Sequence, residues 1–447
     1  MKNFKIITRM KLPTRLLFCF SLAMAFNTAT KAQEISIDGE FRLNPLYSMG
    51  FRKPHYAGDK PSFFNLQRTR IIFGFKKEND LDAEIIIQDR RFWGDQSDRD
   101  DLPNIALYRG WVEKHFTPSF SVRAGRQGFV YDSEYLLSDP NWVGTRAHDA
   151  GLLKFEKFSF KSHLGFAFNA NGQDLKREPY IYKFYKNMQF LWLHQDFTKA
   201  KVSFIFLNHG MEKGDTTTNI YYTQTFGPDL SFEISKRFSF KGLFYYQMGK
   251  NTSKKEVSAY FYSANLTYKM TKFLDLTLGL DVGSGTSQNH QKDASYTKSQ
   301  TFDRLYGSPH AHFGQLDYFY VNTPTLCGIR DMYLKTKLKI TSKLSLENDV
   351  HYFETDAKIN DTKNKDITLP SYLGTENDFS LHYKVSSTIK ASLGHCIMFG
   401  TPTLDAFFGG KVSKQKQYVY AVVTISPTFF KSKKSENQPN VKIDIQK

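Results

Sequence analysis

Cysteine is scarce in this sequence, with three among 447 residues. Cys19 lies in an apolar stretch near the start, which leaves Cys327 and Cys396 in the rest of the chain. A secreted chain of this length with at most one disulfide is not a small fold stapled by cystines. We therefore expect the fold to rest on packing and backbone hydrogen bonding.

Long hydrophobic runs are also missing beyond the first thirty residues. No later stretch reaches 18 apolar residues, so no transmembrane helix is predicted. Hydrophobic residues make up only 40% of the chain, yet aromatics reach 16%, with 41 Phe and 25 Tyr. This combination is typical of a β-barrel in a membrane, because one face of each strand meets lipid and aromatic girdles mark the interfaces.

The N-terminus has the pattern of a secretory signal peptide. Basic residues from Lys2 to Arg15 precede an apolar stretch, Leu16 to Phe26, that is short for a membrane span. Thr30-Lys31-Ala32 supplies a small residue at the expected cleavage point. We expect residues 1–32 to be a signal peptide, 33–430 an outer-membrane β-barrel and 431–447 a polar C-terminal tail.

The formal charge of +17 raises the question of nucleic-acid binding. Lys and Arg are spread over the whole chain and mixed with Asp and Glu, so we expect no nucleic-acid partner. A solvated surface or a charged lumen explains this distribution better.

The dominant sequence period is two. In residues 343–352, Leu344, Leu346, Val350 and Tyr352 alternate with charged or polar residues. Alternation of this kind predicts strands with one apolar and one polar face. Similar segments recur 18 to 19 times, including two in 229–249 and two in 377–399, and closed bacterial barrels have an even strand number.

Loop lengths alternate as well. Tight turns such as Thr271-Lys272 and Thr341-Ser342 contrast with long polar stretches at 95–103, 129–147, 170–186, 284–328 and 355–376. We therefore predict an all-β fold, a single antiparallel transmembrane barrel of about 18 strands with long extracellular loops. A soluble β-sandwich or propeller is the alternative, although no repeat of 40–50 residues supports a propeller.

Strand parity assigns side chains to the lumen. If Ile71, Phe73 and Phe75 face lipid, Arg68 and Arg70 face inward. The same rule places inward the residues Asp82, Glu84, Gln88, Arg90, Arg109, Glu113, Arg123 and Gln127, and it puts Tyr108 with Ala106 and Val112 on the lipid side. Charge on the lipid face would cost about 2–4 kcal/mol at the midplane. A plain ladder of ion pairs that only fills the interior is the alternative to a solute site.

Several of these residues carry a resemblance to the alginate-export family of outer-membrane porins. The first matching block comprises Gln67-Arg68-Thr69-Arg70, Gln88 to Gly94 and Gly125-Arg126-Gln127, followed by Trp142, Arg146 and Asp149-Ala150. The second comprises Phe302 to Gly307 and Gly314 to Asp317. The chain departs from many outer-membrane barrels in one respect, because a polar tail follows Phe429-Phe430.

The resemblance implies a monomeric channel in the cell outer membrane, with lipid around it and an arginine-rich constriction for a uronate polymer, an oligosaccharide or a similar anion. The candidate constriction residues are Arg68, Arg70, Glu84, Arg90, Arg109, Glu113, Arg123, Gln127, Arg146 and Arg304. Arginine suits this role because its guanidinium is always charged and binds carboxylates through two parallel hydrogen bonds. A non-conducting surface-binding or structural barrel is the alternative function.

Other chemistry is weakly indicated. The acidic run Asp95 to Asp101 lacks the spacing of a calcium loop, and His310 with His312 lacks a third metal ligand. Ser380 and His382 share a face but lie about 7 Å apart by strand rise, too far for direct contact. We therefore expect no cofactor, no metal and no enzymatic activity, with a barrel hydrolase as the least favoured alternative.

Overall fold

The computed structural model describes most of the chain between residues 33 and 432. The described ranges are 33–52, 54–56, 58–95, 105–139, 146–173, 175–180, 184–213, 218–308, 311–319, 326–361, 364–408 and 416–432. The predicted signal peptide and most of the predicted tail lie outside these ranges.

Eighteen long strands run in chain order around one closed sheet. Their bounds are β1 Gln33–Met49, β2 Ser62–Lys77, β3 Leu81–Phe92, β4 Ile105–Thr117, β5 Phe120–Gln127, β6 His148–Lys157, β7 Phe160–Phe168, β8 Asn187–Asp196, β9 Ala200–Glu212, β10 Ile220–Glu233, β11 Phe238–Lys250, β12 Glu256–Lys269, β13 Leu274–Gly283, β14 Ile329–Lys339, β15 Leu344–Glu354, β16 Tyr372–Lys384, β17 Ile389–Gly400 and β18 Lys416–Ile425. Each pairs antiparallel with the next, and β18 pairs with β1. The sheet therefore closes, which confirms the predicted barrel of about 18 strands.

The smaller elements lie beside this sheet. Thr428–Lys431 extends the last strand along β1 after a break at Pro427. Lys298–Ser299 pairs with the start of β12. The described helices are α1 (Gln288–Lys292) and α2 (Pro402–Phe408). No helix in the described part of the chain is long and apolar enough to cross a membrane.

Two strand boundaries differ from the sequence prediction. Residues 217–226 and the start of 229–249 form one strand, β10, because the pairing with β9 continues through Gly227 and Pro228. The two strands predicted in 377–399 are β16 and β17, but β16 begins at Tyr372, inside the predicted loop. The loop after β17 contains α2, which the strand pattern did not indicate.

The two faces of the sheet have opposite chemistry. Ile71 and Ile85 are 43% and 47% exposed on the outside, while Arg68 and Arg70 are 4% and 8% exposed inside. Apolar residues therefore surround the barrel and polar residues line its interior, as the parity predicted.

Exposed aromatic side chains mark both rims of this outer surface. At the long-loop end they are Phe63, Trp93, Phe168 and Phe399, and at the short-turn end they are Phe116, Phe158, Phe197, Phe273 and Phe429. Such belts lie at the headgroup level of a bilayer. The surface is therefore built for insertion into a membrane.

Candidate functional site

Two loop segments fold back into the barrel and join each other. Residues 129–139 and 302–319, without 309–310, are here called the inner loop pair. Leu137 and Tyr306 form a parallel bridge between the two segments, and Ser308 N–H donates to the Glu134 carbonyl at 2.8 Å. Aromatic packing reinforces the joint, since the Tyr135 ring lies edge-on to His312 with 4.9 Å between ring centroids. Tyr135 also stacks on Phe261 of β12 with 3.5 Å between ring centroids.

The inner loop pair is attached to many strands. Asp132 accepts from the Trp192 indole at 2.9 Å, and His312 contacts Asp281 at 2.9 Å. Gln315 N–H and Leu316 N–H donate to Asp378 and Glu376 at 2.9 and 2.8 Å. The attachments reach from β4, where Arg109 and Tyr108 bind Asp139, to β18, where the Tyr420 hydroxyl donates to Gln315 at 3.1 Å. The loop pair thus narrows the lumen.

One sector of the wall, made by β16, β17, β18, β1, β2 and β3, carries a row of cations. The register pairs Lys384 with Lys390, Lys390 with Thr424 and Thr424 with Arg42. It continues from Arg42 to Arg68 and from Arg68 to Arg90. We call Lys384, Lys390, Arg42, Arg68 and Arg90 the cation row. With about 4.8 Å between neighbouring strands, six strands span roughly 24 Å.

The cation row also extends along the barrel. Lys384 ends β16 at a short turn, whereas Arg90 lies two residues from the long-loop end of β3. Barrel strands tilt by about 35–45°, so a row that runs perpendicular to the strands rises along the axis. The row therefore leads from the short-turn mouth toward the long-loop mouth.

Counter-charge in the arginine part of the row is sparse. Glu40 binds Arg68 at 2.6 Å and lies 3.9 Å from Arg70, which also donates to Gln88 at 2.8 Å. The Arg90 guanidinium has no ion pair within the described residues, and its buried Nε has no hydrogen-bond partner there. Arg90 therefore adds positive charge to the lumen near the long-loop end of the row.

The other predicted residues divide into two groups. Arg109 contacts Glu84 at 3.5 Å beside the arginines of β2. Glu113 binds Ser121, Arg123 and Lys154, and Arg123 lies over the Trp111 ring at 3.7 Å. These contacts form an ion-pair network in the wall, the arrangement expected of an interior ladder.

The remaining predicted residues, Gln127, Arg146 and Arg304, donate hydrogen bonds to backbone carbonyl groups. Gln127 donates to the Ala150 carbonyl at 2.9 Å, Arg146 to Gly307 at 2.8 Å and Arg304 to Ser308 at 2.6 Å. Arg304 thus lies within the inner loop pair and Arg146 contacts it, and the structure brings neither into the cation row.

Two sequence predictions are wrong, one of a face and one of a distance. Tyr108 is buried beside Arg109, because a bulge between β3 and β4 turns both side chains inward. Ser380 Oγ lies 3.1 Å from His382 Nε2, since both side chains lean toward each other along one strand face. His382 Nδ1 contacts the Ser392 hydroxyl, and the nearby Glu347 carboxylate lies 3.8 Å from Nε2, the nitrogen that also faces Ser380. The acid is therefore not on the far side of the ring, where it orients a catalytic histidine.

The sequence prediction missed Arg42, which lies on the inward face of β1 beside Arg68. Polar residues at every second position, Asp38, Glu40, Arg42 and Asn44, indicate that this face of β1 points inward. However, the β1–β2 register is needed to place Arg42 next to Arg68. The sequence prediction also missed an acidic wall on β13 to β16, next to the lysine end of the cation row, made of Asp281, Asp331, Asp349, Glu376 and Asp378.

A cavity of about 480 Å³ separates the inner loop pair from β9 to β15. Lys201, Lys241, Asp229 and His312 contribute to its lining. Burial, with the nearby charge of Asp229, raises the pKa of Asp132 to about 6. Within the described residues, no three His, Cys, Asp or Glu side chains form a metal-binding group. Of the earlier metal candidates, His310 and residues 96–101 lie outside the described ranges.

Comparisons with known proteins agree with this architecture. The family model described as alginate export matches residues 65–400. A search of curated protein sequences finds no match.

Solved outer-membrane channels share the fold. OccAB1 of Acinetobacter baumannii superposes with a TM-score of 0.61 at 12% identity, covering 89% of this chain and 97% of that one. OccK11 (OpdR) of Pseudomonas aeruginosa gives 0.57 at 11% identity, covering 90% and 98%. OccK2 (OpdF) of the same organism, solved in complex with glucuronate, gives 0.57 at 11% identity, covering 89% and 98%.

Proposed function

Because the chain belongs to the alginate export family of outer-membrane β-barrels and forms a channel for polar solutes, we propose that it selects anions, with carboxylate-bearing sugars as the preferred solutes. The cation row carries this proposal. Arg42, Arg68 and Arg90 are direct neighbours on three adjacent strands. Cations that line a pore lower the barrier for anions.

The identity of the cations favours carboxylates in particular. Guanidinium groups present a planar pair of donors that matches a carboxylate. Glu40 takes up part of this capacity at Arg68, which limits how tightly a solute is held. A conductor must release what it binds. OccK2, a structural relative, has been solved with glucuronate, a sugar acid of this class.

The acidic wall adds a transverse charge gradient. Glu376 and Asp378 lie on β16, and their carboxylates are occupied by the backbone of the inner loop pair. The loop pair therefore takes up part of the acceptor capacity of these acidic groups. It also contacts the arginine side, where Arg109 binds Asp139 and Arg52 lies 3.5 Å from Asp317. We propose that the solute path follows the arginine side.

Planar-bilayer recordings test the proposal. In a potassium chloride gradient, we expect the wild-type channel to give a reversal potential whose sign shows preference for chloride over potassium. The double variant Arg42→Gln with Arg90→Gln should shift this potential toward the value expected for a preference for potassium. This pair leaves the Arg68–Glu40 contact in place. Arg126→Gln with Arg330→Gln is the matched control, because both side chains lie on the outer face, paired with Asp149 and Asp356.

Solute choice is tested with the same channels. Glucuronate should reduce the chloride current more than glucose does, and the Arg42/Arg90 double variant should lose that difference. A cation-selective wild type, or a double variant that behaves as the wild type, would contradict the role of the cation row.

A further inference from the structure

The short-turn end of the cation row is part of a larger group of cations around a cleft. The cleft has a volume of about 430 Å³ and lies among the ends of β14, β15, β16 and β17. Its cationic lining consists of Lys337, Lys339, Lys343, Lys384 and Lys390, with His382 beside them.

Only part of this charge is neutralised. Lys337 contacts Glu347 at 2.6 Å and Lys339 contacts Asp275 at 3.3 Å. Lys343, Lys384 and Lys390 have no ion pair within the part of the chain that the structure describes.

Backbone pairing holds these three lysines next to one another. Lys384 and Lys390 are direct cross-strand neighbours, a placement in which like charges are destabilising. Lys384 N–H donates to the Lys343 carbonyl at 2.8 Å, which adds the third lysine. Three uncompensated charges at one point create a local attraction for anions that grows with the charge of the anion.

The cleft opens on the lumen side of the wall. Tyr383 and Val385 are exposed on the outer face, and His382, Lys384 and Ser392 belong to the opposite parity. A lipid headgroup in the surrounding leaflet contacts the outer face of the sheet and so does not reach lysines on the lumen face. A soluble anion at the mouth reaches the lysines directly.

We infer that Lys343, Lys384 and Lys390 form an anion site for a multiply charged oxyanion, the phosphate group of a soluble solute. Lysine ammonium groups are compact point charges without the planar fork of arginine, so they select charge more than carboxylate shape. The side chains of Ser345 and Ser392 also line the cleft and supply hydroxyl donors. The oxyanion binds at the short-turn mouth. Its binding does not depend on whether Arg42, Arg68 and Arg90 make the channel selective for anions.

Titration of the full-length protein in neutral detergent with inorganic phosphate tests the site. At mildly alkaline pH, we expect saturable binding that weakens roughly tenfold in the triple variant Lys343→Gln, Lys384→Gln and Lys390→Gln, because each exposed ion pair contributes up to a factor of about five. Acetate, with one charge, should bind much more weakly to the wild type.

The matched control removes three lysines from other short turns. Lys199→Gln, Lys236→Gln and Lys272→Gln carry the same change in net charge and are exposed, so phosphate binding should stay near that of the wild type. In bilayers of zwitterionic lipid, phosphate added at the short-turn mouth should reduce the chloride current, while phosphate added at the other mouth should do so less.

Absence of saturable phosphate binding by the wild type would overturn the inference. Equal weakening in the control variant would overturn it as well, because the effect would then report net charge alone. Loss of anion selectivity in the Arg42/Arg90 variant with phosphate binding intact would separate the two sites.

Discussion

Gly307 lies against the backbone carbonyl of Tyr135, so close that a Cβ atom at position 307 would be 1.9 Å from that oxygen. The contact joins the two segments of the inner loop pair, whose strands of backbone run side by side there. Position 307 therefore requires glycine, because the gap between the two segments has no room for a side chain.

Gly307→Ala should separate the inner loop pair. A methyl group cannot occupy that space, so one segment must move, and we expect a larger single-channel conductance with a lower thermal midpoint of heat-modifiable gel migration. Gly172→Ala is the control, because nothing lies within 4 Å of a Cβ there. Wild-type conductance in Gly307→Ala would show that the joint does not set the width of the passage.

Glu376→Ala should release the segment around Leu316. The Leu316 N–H would lose its buried acceptor, at a cost of about 1–3 kcal/mol. Hydrogen exchange followed by mass spectrometry should show faster exchange in residues 313–317. Glu347→Ala, at the mouth of the neighbouring strand β15, should leave that segment protected, and equal protection in both variants would refute the attachment.

Glu113→Ala should destabilise the barrel wall. Glu113 is 1% exposed and binds Ser121, Arg123 and Lys154. Its removal leaves Arg123 without its carboxylate and Lys154 with Glu156 alone, 3.5 Å away, and breaking such buried pairs typically costs about 3–5 kcal/mol. Urea unfolding in lipid vesicles measures the loss. Glu256→Ala at the exposed start of β12 should cost far less, and similar values for both would contradict the network's structural role.

The fluorescence of Trp192 should titrate with Asp132. The pKa of this carboxyl is raised to about 6, chiefly by burial, so it is ionised at pH 7 and becomes protonated as the pH falls through 6. Because the folded-state pKa is raised, Asp132 disfavours folding above pH 6, and this cost disappears as the pH falls from 6 toward the ordinary value of 3.8.

The indole N–H of Trp192 donates to Asp132, so neutralisation should shift the emission of the wild type. The measurement uses a background in which the other three tryptophans are phenylalanine. Asp132→Asn should show no transition near pH 6, and persistence of the transition in that variant would assign it to another group.

Strand existence, face polarity and barrel closure could be read from the sequence, because the period of two is a local property. Arg68, Arg70 and Arg90 were placed inward by parity alone, and their burial agrees. Parity failed at Tyr108, where one bulged residue changes the face of its neighbour. Parity correctly put Ser380 and His382 on one face, but the distance inferred from strand rise was wrong, because strand rise fixes Cα spacing and leaves side-chain direction free.

A lipid-facing exterior and a charged interior follow from the residue pattern alone, since each strand meets lipid on one face and the lumen on the other. Which cations become neighbours depends on strand register in the folded barrel. Arg42, Arg68 and Arg90 are separated by 26 and 22 residues in the chain, and strand register makes them adjacent. The inner loop pair was equally hidden, because its anchors, such as Gln315 to Asp378, join residues whose meeting depends on closure of the whole sheet.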